Sequence, residues 1–139
     1  MTMRKKIRMI LSVSICVLVA VLLMNAAWAF SPSQGKSFFY VQESGITVED
    51  TLTSEEVRVV KEVLWGKIKW PQWLYGYPAC GFGKAFAIEL DGTYYMPAWD
   101  SCGMIAVCGS DSEVIRYINV TQRQKAILEE MIVAQDMLN

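Results

Sequence analysis

Residues 82–99 read FGKAFAIELDGTYYMPAW, and the Asp91-Gly92 pair at their centre decides the fold. Asp-Gly between two apolar, aromatic-rich runs is a strong hairpin signal, because a type I′ turn needs positive φ at both central positions. With that loop, Leu90 faces Thr93 and paired residue numbers sum to 183. One face then carries Lys84, Phe86, Ile88 and Leu90 with Trp99, Pro97, Tyr95 and Thr93. The other carries Ala85, Ala87 and Glu89 with Ala98, Met96 and Tyr94. Side chains on a strand alternate between faces, so this register is a definite geometric claim.

Working outward, turn-forming clusters at 100–103 and 109–112 divide the chain beyond the hairpin into strands at 104–108 and 113–120. The spacing predicts an antiparallel meander of about four strands within 82–120. Thr53 with Glu56 three residues on fits a capping box, and Leu52 and Val57 occupy the staple positions. Val57, Val60, Val63 and Leu64 then share a helical face, and Arg58 can pair with Glu62. A helix is expected from 54 to 65, ended by Gly66. Thr121 and Gln124 repeat the capping pattern, and Ile127, Met131, Ala134 and Leu138 mark the apolar face of a second helix over 121–138. Phe38-Phe39-Tyr40-Val41 is a candidate short strand. A meander flanked by two helices is an α+β fold.

The hairpin register places Cys80 opposite residue 103 and Cys102 opposite residue 81. The two cysteines therefore meet at the open end of the hairpin, within reach of a disulfide if that end bulges slightly. Such a bond closes a loop of about 20 residues and contributes roughly 3 kcal/mol in the chain-entropy description. Two readings compete: all thiols free, and a Cys102–Cys108 bond, although an extended strand over 104–107 separates that pair by roughly 20 Å. Cys108 is then left over, either a buried small apolar residue or a free thiol open to dimerisation or reaction.

Trp65, Trp70, Trp73, Tyr75 and Tyr77 fall within 13 residues, broken by Pro71, Gly76 and Pro78. Aromatic faces stack on sugar rings and peptide groups, which makes this stretch the candidate binding surface. The competing readings are that these rings cover the sheet and fill the core of a small domain, or that they touch a membrane interface with help from Lys67 and Lys69.

The N-terminus sets the compartment. Arg4, Lys5, Lys6 and Arg8 precede an uncharged run over 9–30. Ala27 and Ala29 stand three and one before a cut, as signal peptidase sites require. The expectation is a signal peptide, 1–29, followed by one small exported domain, 30–139. Uncut, residues 9–30 are long enough to anchor the chain in a membrane. Ile15 before Cys16 does not fit a lipoprotein signal. Removal of residues 1–29 leaves 9 Lys and Arg against 14 Asp and Glu, a net charge of −5. That balance argues against nucleic acid and against attraction to an anionic membrane surface.

The chain has no histidine. Ser-His-Asp and Cys-His nucleophile systems are therefore out, as are histidine-containing metal sites. Gly81-Phe82-Gly83-Lys84 is too short for a phosphate loop. Neither a cofactor nor a metal ligand set is expected. Asn119-Val120-Thr121 matches a glycosylation sequon, but it also reads as a strand end and helix cap.

Taken together, the residues describe an exported, non-enzymatic envelope or extracellular binding domain that meets a protein or glycan partner through its aromatic surface. Two other readings stay open. One is a small secreted hydrolase or thiol enzyme using carboxylates or Cys108. The other is a membrane-anchored accessory subunit.

Overall fold

A computed structural model describes residues 3–42, 44–76, 78–110 and 115–133. It divides into two units, 1–32 and 33–139. The first holds a single helix, α1 (Met3–Phe30), in which no residue is buried. At 28 residues α1 is about 42 Å long, and it is apolar enough to cross a membrane by length and composition.

The second unit is α+β. In chain order it holds β1 (Gly35–Val41), β2 (Ile46–Thr51), α2 (Ser54–Leu64), β3 (Trp70–Pro71) and a short α3 (Gln72–Tyr75). Next come β4 (Phe86–Leu90), β5 (Thr93–Pro97), β6 (Met104–Gly109), β7 (Arg116–Asn119) and α4 (Gln122–Val133). The strands form one sheet in the order β2-β1-β4-β5-β6-β7-β3, with every pairing antiparallel.

The expected hairpin is present in its expected register: Leu90 faces Thr93, Glu89 faces Tyr94 and Ile88 faces Tyr95. Asp91 and Gly92 have φ of 48° and 81°, the positive pair that a type I′ turn demands. The meander continues as expected through β6 and β7. The sheet is nonetheless larger than the four strands expected from 82–120. A hairpin of β1 and β2 adds to the β4 edge, and two-residue β3 adds to β7. All six residues of β2 are exposed, so no burial rhythm announces that strand in the sequence. Its Glu49 and Asp50 keep a long open edge polar.

The first strand of the hairpin also begins later than expected, at residue 86 and not 82. Phe86 N–H donates to the Gly83 carbonyl at 3.1 Å, closing a turn that takes Lys84 and Ala85 out of the ladder. Beyond this turn the chain pairs again, Trp99 N–H donating to the Gly81 carbonyl at 3.0 Å.

Alternation gives the sheet two apolar faces. Leu90 meets α2 at Gly35, where an added Cβ would lie 2.8 Å from Leu90 Cδ2 and 3.0 Å from both Leu52 Cδ1 and Val57 Cγ2. Ile88, Tyr95, Pro97, Ile105, Val107 and Ile118 share that helix-covered side by register, and all are buried. On the opposite face Ala87, Met96, Ala106, Cys108 and Tyr117 form a buried cluster, covered by Tyr75 and Phe82.

Both expected helices are present with both caps. Thr53 Oγ1 accepts from Glu56 N–H at 3.3 Å while Glu56 Oε2 accepts from Thr53 N–H at 2.7 Å. Arg58 pairs with Glu62 at 3.2 Å as expected, and with Glu55 as well. At α4, Thr121 Oγ1 accepts from Gln124 N–H and Gln124 Oε1 accepts from Thr121 N–H, at 3.2 and 3.1 Å. The stripe that α4 buries is not the expected one. Lys125, Leu128 and Ile132 are its buried residues, with Ile127 and Met131 half-buried beside them. Ala134 and Leu138 lie outside the described residues.

Candidate functional site

The aromatic stretch divides. Trp65, Trp70 and Trp73 are 52%, 40% and 78% exposed, and Ile68 and Leu74 beside them are exposed too. Trp65 caps the C-terminus of α2, Trp70 sits in edge strand β3, and Trp73 lies in α3. Each element is too short or too peripheral to bury its indole. Tyr75 is half-buried against the core: its ring meets Tyr117 edge-on at 5.6 Å, and its hydroxyl accepts from Asn119 Nδ2 at 2.8 Å. The Asn119 carboxamide of the sequon is therefore engaged at a strand end. Tyr77 lies outside the described residues. Lys69, also in this stretch, is exposed along its length but brings its amino group to Tyr95. Its Nζ lies 5.3 Å from the centre of the Tyr95 ring, and burial, helped by Arg116, pushes its pKa down.

A second feature lies where the hairpin opens. Trp99 is 64% exposed, yet its indole rests on backbone. A Cβ on Gly81 or Gly83 would stand 3.0 or 2.9 Å from the ring, so a side chain at either position would push the indole off its seat. The Gly-Phe-Gly run, rejected as a phosphate loop, is thus a platform for an indole. The indole walls an open groove of about 710 Å³ together with Phe39, Tyr40, Phe86 and Glu129. The sequence places these residues on β1, β4, α4 and a turn, far apart along the chain. Its one readable signal was the pair of glycines two residues apart.

Behind Trp99 the loop is tied to α4. Lys125 Nζ donates to the Asp100 carbonyl and pairs with Glu129 at 3.3 Å. Those two oxygens let an ammonium group be buried. Gln122 Nε2 donates to the Ser101 carbonyl at 2.5 Å, and Val120 N–H donates to the Gly103 carbonyl at 2.8 Å.

Cys80 and Cys102 come together here. Their sulfurs and an Asp100 carboxylate oxygen all lie within 4.8 Å of one another, and both cysteines are free thiols. Asp100 Oδ1 accepts from Cys102 N–H at 2.9 Å. That bond, helped by the two thiols and by Lys125, holds the Asp100 pKa below the usual carboxylate range. Burial pushes the Cys102 thiol up to about 12, with Cys80 and Asp100 adding to the effect. Cys108 is elsewhere. It faces Tyr94 across β5 and β6, is only 6% exposed, and packs in the apolar cluster. Ala27 and Ala29, the expected cleavage residues, lie in the last turn of α1. No family model, curated protein or solved structure matches the chain.

Proposed function

We propose that the chain is an exported protein of the cell envelope or extracellular space, a non-enzymatic domain that holds a protein or glycan partner on the indoles of Trp65, Trp70 and Trp73. One observation carries this reading: three tryptophans within nine residues leave much of their surface in water, beside exposed Ile68 and Leu74. Large apolar surface of that kind is costly to expose and marks interaction sites. Tryptophan contributes more than most residues to protein interfaces and offers a flat face to a sugar ring. The burial of Cys108 weighs against the thiol-enzyme alternative, because a nucleophile must reach its substrate.

The test compares the full chain with a W65A/W70A/W73A variant in detergent micelles. Sedimentation with insoluble peptidoglycan probes a glycan partner. Photo-cross-linking from the exposed position of Leu74, in cells, probes a protein partner. Capture by either probe, reduced at least about tenfold in the variant, is the expected result. Equal behaviour of the two proteins with both probes would refute the reading.

The second reading, a tethered accessory subunit, is favoured by α1. Its apolar length suits a bilayer if Ala29 is not cut. The same aromatic surface would then work beside a membrane.

A further inference from the structure

We propose that Cys80 and Cys102 form a disulfide that clasps the 99–103 loop, and with it the indole of Trp99, across the open end of the β4–β5 hairpin. The bond needs an oxidising compartment in the cell, so there it rests on the export reading above.

The backbone on both sides is already in place without the bond. Trp99 N–H holds Gly81, the neighbour of Cys80. Lys125, Gln122 and Val120 hold residues 100, 101 and 103 in turn, on either side of Cys102. The sulfurs lie within 4.8 Å, so side-chain rotation and a small shift suffice to join them. The chemistry is thiol–disulfide exchange with a disulfide donor, either an oxidised thiol oxidoreductase or oxidised glutathione. One cysteine thiolate attacks the donor, forms a mixed disulfide and releases one donor thiolate. The second cysteine, having lost its proton, attacks the mixed disulfide at the first cysteine's sulfur and releases the other donor thiolate. The protein loses two protons and two electrons, and the donor is reduced to two thiols.

The surroundings favour a lasting staple over a redox shuttle. A thiol whose pKa is pushed up to about 12 is a poor leaving group, so attack that must expel Cys102 is slow. An Asp100 carboxylate oxygen lies within 4.8 Å of both sulfurs, and a negative charge there opposes a thiolate, whereas reactive cysteines have a basic group to stabilise one.

The experiment uses the full chain in detergent micelles, reduced, desalted and treated with oxidised glutathione, then alkylated and analysed by intact mass and peptide mapping. A parallel sample is alkylated at lysis of exporting cells. The expected result for the purified chain is a Cys80–Cys102 linked peptide, two hydrogens lighter than the dithiol, with Cys16 alkylated. The Trp99 amide should exchange about tenfold more slowly after oxidation, and Tm should rise by roughly 10 °C. C102S should stop at a glutathione adduct on Cys80. C80S/C102S should stay folded and exchange like the reduced chain. Alkylation of both thiols after oxidation, or a bond to Cys108, would overturn the proposal. So would retention of added zinc by the reduced pair in place of bond formation. A bond in the purified chain with thiols left free in cells would uphold the clasp and count against the export reading.

Discussion

Gly35 and Gly103 show how much a single hydrogen in place of a side chain can matter. At Gly35 the obstruction is soft, the methyl groups of Leu90, Leu52 and Val57, and G35A is expected to cost about 1–3 kcal/mol as overpacking. At Gly103 the obstruction is the Val120 carbonyl oxygen, 2.5 Å from an added Cβ, and backbone cannot step aside. G103A should therefore cost more than G35A, and denaturant midpoints of the two variants would rank them. Tyr95 gives a pH signature. Burial, with the Asp91 charge adding, pushes its hydroxyl from an ordinary value near 10 up to about 12. Between those values the unfolded chain loses a proton that the folded chain keeps, so stability should fall as pH rises through that window. Lys69, whose pKa is pushed down, acts in the opposite direction and at lower pH. Y95F should flatten the decline above pH 10, measured by denaturant unfolding at a series of pH values. None of these contacts could be read from the residues alone. The glycines were visible in the chain, but the groups that press on them come from other elements.

The helices test a subtler reading. Capping is local chemistry, since partners three residues apart meet whatever the rest of the chain does, and both boxes form where Thr53/Glu56 and Thr121/Gln124 indicate. T53A is expected to cost about 1 kcal/mol in a thermal or denaturant midpoint. The buried stripe of α4 is not local. The sequence pattern favoured Ile127 and Met131, yet Leu128 and Ile132 face the sheet, because Lys125 turns inward to reach Asp100 and Glu129. L128A should therefore cost about 2–5 kcal/mol and I127A distinctly less. Equal losses would restore the expected stripe. Among the strands, β4 to β7 were legible because they are short, largely apolar runs punctuated by turns. β2 was not, because none of its residues is buried and the strand owes its place to pairing with β1.

For the whole molecule, the N-terminal segment and the domain present separate questions. If residues 1–29 act as a signal, N-terminal sequencing of the exported protein should begin at Phe30. Recovery of the uncut chain would identify α1 as a tether and favour the accessory-subunit reading. The sequence by itself determined the α+β class, the helix caps, and the hairpin register beside the turn, though not at its open end. Asp-Gly turns and capping boxes are governed by interactions over two to four residues, which depend little on the rest of the chain. Only the tertiary structure decided that the sheet has seven strands and that Trp99 seats on Gly81 and Gly83 to wall a groove. It also decided that Tyr75 packs against the core while Trp65, Trp70 and Trp73 remain largely in solvent. Each of these outcomes depends on which surfaces meet across dozens of residues. A periodicity can show that a side chain is apolar, but only packing settles which of several apolar side chains is covered.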